Sequence, residues 1–361
     1  MRPFACPNCR CLCHFEVRVC SACKVTLAYD PQIDGFRFLA DGATVWRAED
    51  GVDAAVVVCA NNNDFQVCNW LVPTADTTTL CRACRHNNMI PDLTVFGVRE
   101  RWAKVEAAKR RLFHTLIKLG LPLDTPQRQR LAFNFLYDPA AERDGRGEVL
   151  TGHESGLVTL NLVEADDALR ERNRLALGEP YRTLLGHFRH EIGHHFWSTL
   201  IEHDGDELAA FRGVFGDERP DYDAALRTHY SRFDQGGWTS DHVSYYATCH
   251  PWEDFAETFA HYLHIVDLLA TVRGFDLHLA PFPAGRSGDD IEVDFNPYTA
   301  SAAMLAARMQ PLSFAMNAFN RSLGQRDMYP FSIVGGVVAK LDFIVRLVAR
   351  ARRPDGQLRV A

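Results

Sequence analysis

Apolar and polar positions recur with two different periods along this chain, and the change of period divides it. Between residues 31 and 58 aromatic and aliphatic residues alternate with polar ones, as in GFRFLADGATVWRAEDG, the pattern of short strands joined by turns. From Leu93 the spacing turns helical and continues to Leu119, where Gly120 and Pro122 supply a stop signal. Ala132–Tyr137 and Gly156–Val163 (GLVTLNLV) read as strands, with loop residues between them. One long helix is predicted from Glu179 to about Ile201, preceded by Gly-Glu-Pro, and another from Pro251 to about Arg273. Residues 274–298, rich in Gly, Pro and Asp, read as loop. Helical spacing returns from Thr299, and the tail after Arg350 is polar and expected to fray.

Cysteine placement sharpens the division. Of 11 cysteines, 10 lie between Cys6 and Cys84. The expected fold class is α+β: a small β-rich, cysteine-rich module over residues 1–92, then a mainly helical domain with a small sheet over 93–361. A length of 361 residues allows this division, and 47% hydrophobic with 24% charged residues is a globular composition. The net charge of −7 argues against bulk affinity for phosphate backbones. The best candidate for a membrane span, Phe331 to Val348, is broken by Lys340, Asp342 and Arg346. MRPFACPNC lacks the apolar stretch of a secretory signal. The expectation is a soluble cytoplasmic protein whose reduced, clustered thiols bind metal rather than form disulfides.

Cys6-x2-Cys9 and Cys20-x2-Cys23 present two thiolate pairs of the kind that share one tetrahedral zinc ion, which would supply the folding free energy of so short a segment. Cys11 and Cys13 leave the register open, because either could replace Cys9. Cys59, Cys68, Cys81 and Cys84 form a second candidate zinc set, against which stands the reading of four buried free thiols. Zinc ribbons often bind nucleic acid, yet residues 1–92 carry 8 Lys or Arg against 10 Asp or Glu, with no basic stripe. Arg99 to Lys118 carries seven positive and two negative side chains, which reads as a solvated helix face. A structural or protein-docking module is expected, with a protein partner rather than nucleic acid or membrane.

The chemistry lies further on. GHFRHEIGHHFWSTL contains His190-Glu191-Ile192-Gly193-His194, an H-E-x-x-H pattern. On a helix both imidazoles face one ion and Glu191 lies within reach of a water bound to it. Leu185, Phe188, Ile192 and Phe196 form the opposite, apolar stripe. The alternative is a pair of surface histidines. In HPWEDFAETFAHYLH, Glu253, Glu257, His261 and His264 share one helical face, edged by Ala256 and Ala260, which would let another helix approach. This stripe supplies the candidate third ligand. His187, one turn before His190, is read as facing the site or the substrate, and His195 as structural.

H-E-I-G-H followed 59 residues after His194 by E-D-F-A-E-T-F-A resembles the gluzincin branch of the zincin metallopeptidases. More closely, the chain resembles a bacterial family of zinc-binding metallopeptidases with an N-terminal zinc ribbon. FACPNC…CSAC, VCNWLVP…LCRACRHNNMIPDL, VTLNLVEADD, GEPYRTLLGHFRHEIGHHFW, VSYYATCHPWEDFAETFAHYLHIVD and FNRSLGQRDMYPFSIV carry the resemblance. It implies a zincin-like domain over 93–361 and a zinc-dependent hydrolase of peptide bonds in a peptide or protein substrate. His190, His194 and Glu253 would be the ligands of one catalytic zinc, Glu257 the acid behind them, Glu191 the general base and Tyr246 the oxyanion donor. Tyr245 is the alternative donor, and His261 and His264 are rival third ligands. The resemblance also makes GLVTLNLV the edge strand that pairs with substrate. The competing reading is a catalytically silent adaptor that binds a protein partner.

Overall fold

The structure is a computed structural model that describes residues 2–123, 131–140, 152–154, 156–176, 181–231, 236–279 and 292–352. The cysteine-rich region begins with a hairpin of β1 (Phe4–Ala5) and β2 (Leu12–Cys13). Its turn is a knuckle: Arg10 N donates to Cys6 O, and Arg10 takes a left-handed φ of 64°. Cys20 and Lys24 repeat the device, with Lys24 N donating to Cys20 O at a φ of 65°. A four-stranded antiparallel sheet follows in the order β3 (Thr26–Asp30), β4 (Gly35–Leu39), β5 (Trp46–Arg47), β6 (Asp53–Ala54). β7 (Val56–Val58) pairs with β8 (Leu71–Pro73), and the short helix α1 (Ala60–Phe65) lies between them.

A second sheet lies under the helical region. β9 (Asn87–Met89) runs parallel to β10 (Ala132–Leu136), which is parallel in turn to β12 (Leu157–Asn161), and β11 (Gly152–Glu154) closes the row antiparallel to β12. GLVTLNLV is therefore an internal strand, and the edge belongs to β11. The strand also ends at Asn161, whose side chain caps a 3-10 turn, Leu162–Ala165.

Between β9 and β10 runs α2 (Val98–Leu119), which starts after Gly97 and ends at left-handed Gly120. One face is interior; the solvated face expected for Arg99 to Lys118 holds for Arg99, Lys104, Arg111 and Lys118 but not for Lys109 and Arg110. Trp102, Val105, Leu112, Phe113 and Leu116 are fully buried, and so are Glu106, Lys109 and Arg110. Lys109 pairs with Glu106 in the interior at 2.8 Å, whereas Arg111 and Lys118 stay exposed while pairing with Glu16 at 2.5 Å and Asp34 at 2.9 Å. The buried apolar cluster runs without a break from Phe4 of the first hairpin to Val348.

The remaining helices are α3 (Asp167–Ala176), α4 (Leu184–Leu200), α5 (Gly205–Phe215), α6 (Tyr222–Ser231), α7 (Pro251–Gly274), α8 (Ala302–Ser322) and α9 (Gly336–Ala351). The helix read from Glu179 begins five residues later, because Thr183 is extended and its hydroxyl accepts the Gly186 amide at 2.9 Å. The Gly-Glu-Pro before it, residues 280–291 of the loop read at 274–298, and the tail after Arg352 lie outside the described residues. Among the described residues no helix is long and apolar enough to cross a membrane. α4 and α7 cross at Gly193, where a Cβ would come within 2.7 Å of Ala256 Cα. This contact brings the histidine face of one helix against the acidic face of the other.

Candidate active site

Three ligand-type side chains converge where α4 meets α7. His190 Nε2 and His194 Nε2 are 3.1 Å apart, and Glu253 Oε2 lies 3.0 Å from the first and 3.5 Å from the second. A tetrahedral zinc ion with nitrogen and oxygen ligands at about 2.0 Å requires its ligand atoms to be about 3.3 Å apart. Glu253 is 1% exposed, and its Oε2 accepts no hydrogen bond among the described residues. A buried anionic oxygen without a donor is costly, and a cation between these three atoms removes that cost. The donor set therefore fits zinc.

The partners behind the three side chains fix their orientation. His190 Nδ1 donates to Glu257 Oε1 at 2.8 Å, and Ser244 Oγ donates to Glu257 Oε2 at 2.6 Å, which directs His190 Nε2 inward. Tyr222, on α6, donates its hydroxyl to Glu253 Oε1 at 2.6 Å. Trp252 lies against the His194 ring with centroids 3.7 Å apart. Burial disfavours charge on Glu253, but the two imidazoles beside it hold its carboxyl well below the usual range. Burial likewise opposes charge on His190, while Glu253 and Glu257 push its ring well above the ordinary histidine value. Metal binding there competes with a proton.

Glu191 lies beside this group without joining it. Its Oε1 is 3.2 Å from His187 Nε2, and although burial opposes ionisation, the histidines around it lower its carboxyl to about 2. Tyr246 packs its ring 5.9 Å from that of His190. Burial and the neighbouring Glu253 and Tyr222 raise its phenol, so the hydroxyl keeps its proton. Tyr245 instead stacks on His229, with centroids 4.4 Å apart. The rival ligands are engaged elsewhere: His261 Nδ1 meets Tyr329 Oη at 2.6 Å and His264 Nδ1 meets Arg189 Nη1 at 2.6 Å. His195 is buried against Phe196.

Sequence reasoning missed Tyr222, Ser244 and Trp252. Only Trp252 carried a local signal, being adjacent to Glu253. His153 of β11 is also near, its ring 6.3 Å from that of His194.

Both cysteine sets come together. Cys6 and Cys23 sulfurs are 3.7 Å apart, Cys9 and Cys20 3.6 Å, and Cys68 and Cys81 3.8 Å. A tetrahedron with Zn–S bonds of about 2.3 Å places its sulfurs about 3.8 Å apart. Each set of four could hold one metal ion, which suits structural zinc. The Cys11 thiol points to the Leu12 carbonyl and Ser21, and the Cys13 thiol to the Cys11 carbonyl, so neither belongs to the four.

Comparison with known proteins agrees with this inventory. A family described as "putative zinc-binding metallo-peptidase" matches residues 98–347, and a zinc-ribbon domain matches residues 3–95. An uncharacterized protein of Mycobacterium bovis is 39% identical over 352 residues, covering 96% of this chain and 95% of its own. Uncharacterized proteins from two strains of Mycobacterium tuberculosis match to the same extent. No solved structure matches the chain. With the match spanning more than half its length, the chain belongs to this family of zinc-binding metallopeptidases and carries a zinc-ribbon domain ahead of the metallopeptidase region.

Proposed function

We propose that this protein is a zinc-dependent peptidase of the gluzincin type, with His190, His194 and Glu253 holding the catalytic ion and Glu191 acting as general base. The observation that carries this reading is the convergence of three ligand atoms 3.0–3.5 Å apart while the adjacent Glu191 points to His187 instead. Three ligands leave a tetrahedral ion one open position, the arrangement of catalytic zinc. Zinc bound there supplies Lewis-acid chemistry, acidifying water and polarising a carbonyl. Glu191, ionised and outside the ligand set, takes a proton from the attacking water and returns it to the leaving amine. Glu257 and Ser244 keep the His190 ring in the ligating tautomer, and Tyr222 holds Glu253 in its rotamer. Tyr246, protonated and not bonded to Glu253, is the oxyanion donor. The outer side of β11 is free of any strand among the described residues, and it receives an extended peptide.

On this reading residues 1–92 are a structural and protein-docking module carrying two zinc ions, and residues 93–361 are the peptidase domain. The balance of 8 Lys or Arg against 10 Asp or Glu over residues 1–92 supports a protein rather than a nucleic-acid partner. The test uses the zinc-loaded full chain and a library of internally quenched peptides. The wild-type chain cleaves members of the library, and Glu191→Gln lowers the rate at least about 100-fold with zinc content unchanged. Undiminished cleavage by Glu191→Gln removes the assigned base. A wild-type chain that binds three zinc ions and cleaves nothing favours the silent adaptor.

A further inference from the structure

Glu191 is the end of a buried series of charges drawn from three segments. His187 Nε2 lies 3.2 Å from Glu191 Oε1, and His187 Nδ1 lies 3.5 Å from Glu164 Oε2. The other oxygen of Glu164 accepts Arg182 Nη2 at 3.1 Å. Glu164 belongs to the 3-10 turn after β12, Arg182 precedes α4, and His187 and Glu191 are one turn apart on α4. The side chains of Glu164 and Glu191 are 9% and 8% exposed. Carboxylates only accept, so an imidazole lying between two of them is attractive on both sides when each ring nitrogen carries a proton. Burial opposes that charge, but Glu164 and Glu191 outweigh it and raise the His187 ring to about 9.

An exposed i,i+4 ion pair contributes a few tenths of a kcal/mol and needs no third partner. Here burying several charges is costly, and an all-apolar contact would serve stability as well. What the arrangement provides is orientation of one carboxylate. A general base works only if one oxygen stays free and correctly aimed, which requires support from behind.

We propose that His187, clamped by Glu164, is the positioning residue of the general base, fixing Glu191 through Oε1 and leaving its second oxygen for the attacking water. This rests on the peptidase reading and adds to it a residue that neither binds the metal nor touches substrate. No counterpart in the H-E-x-x-H pattern predicts it, because Glu164 lies 23 residues before His187 in the chain.

The experiment compares full-length zinc-loaded wild type, His187→Gln, Glu164→Gln and the double variant on one internally quenched peptide that the wild type cleaves. Ring-nitrogen NMR of His187 at pH 7.5 is recorded in parallel. The expected result is a kcat about 10–100-fold lower in His187→Gln, with KM and zinc content unchanged. The double variant is no slower than His187→Gln, and the His187 ring is doubly protonated in the wild type but loses a proton in Glu164→Gln. A His187→Gln kcat within twofold of wild type, loss of zinc along with activity, or a neutral ring in the wild type overturns the proposal. Should His187→Gln fail to fold, Glu164→Gln keeps the ring and decides through kcat and NMR. A wild type that cleaves no peptide defeats the peptidase reading itself, whereas equal cleavage by wild type and His187→Gln defeats only the positioning role.

Discussion

Cys59, Cys68, Cys81 and Cys84 are each at most 1% exposed, and protein surrounds them on every side. The Cys81 amide donates to the Cys59 sulfur at 3.3 Å, the Trp70 amide points to the Cys68 sulfur at 3.5 Å, and Glu106 of α2 lies 3.7 Å from the Cys84 sulfur. The group at His190, His194 and Glu253 has comparable ligand spacing, but it has three members, and the His190 side chain is 13% exposed. Behind the cysteines stands the buried helix that joins the two regions; behind the histidines stand Glu257, Tyr222 and Trp252, which aim ligands rather than seal them. On the proposed reading, ligand count and access separate a structural ion from a catalytic one, although both sites suit the same ion. The first cysteine set stands between them, with Cys6 and Cys20 buried but Cys9 exposed.

The strongest way to break this contrast is to remove one sealed ligand. Cys81→Ser should abolish cooperative folding, because structural zinc contributes about 10–16 kcal/mol in small modules, comparable to the whole stability of a domain. A normal melting transition for that variant would show the second set to be dispensable. Gly193→Ala acts at the other site: its Cβ would meet Ala256 Cα at 2.7 Å, so α4 and α7 must separate at a cost of about 1–3 kcal/mol. The expected readout is a lower melting temperature together with loss of one zinc ion of three, and an unchanged metal content would contradict it.

Glu257→Gln should be milder. It weakens the acceptor of the His190 proton and lowers zinc affinity at that site about 10–100-fold, while metal in the cysteine sets is retained through the same titration with a chelator. The smallest effect is expected for Cys11→Ser combined with Cys13→Ser. Both thiols lie outside the set of four, so zinc content should not change and stability should move by no more than about 0.5 kcal/mol. Loss of an ion from the double variant would move the first set to another register.

Much of this arrangement was legible along the chain, because its signals are local. The i,i+4 spacing of His190 and His194, the repeat of Glu253 and Glu257 on one helical turn and the paired CxxC motifs each follow from the geometry of a single element. Joining α4 to α7 needed the resemblance, although Ala256 already marked the face where another helix could approach. What stayed hidden depends on contacts between distant segments. Tyr222 reaches Glu253 from 31 residues away, and Ser244 reaches Glu257 across a turn that has no periodicity. GLVTLNLV gives the same alternating pattern whether its neighbours lie on one side or both, so only pairing with β10 and β11 shows that it is internal. The seven positive residues of α2 look alike in sequence, but Lys109 and Arg110 are buried beside Glu106, while Arg111 and Lys118 stay exposed and reach Glu16 and Asp34 of the other region.

On the proposed reading a cation sits between His190, His194 and Glu253, with Glu191 left unbound. A crystal of the zinc-loaded chain, measured on both sides of the zinc absorption edge, tests it directly. Three anomalous peaks are expected, two within the cysteine sets and one in contact with His190, His194 and Glu253 but not Glu191. Peaks confined to the cysteines, or a third peak coordinated by the Glu191 carboxylate, would contradict it.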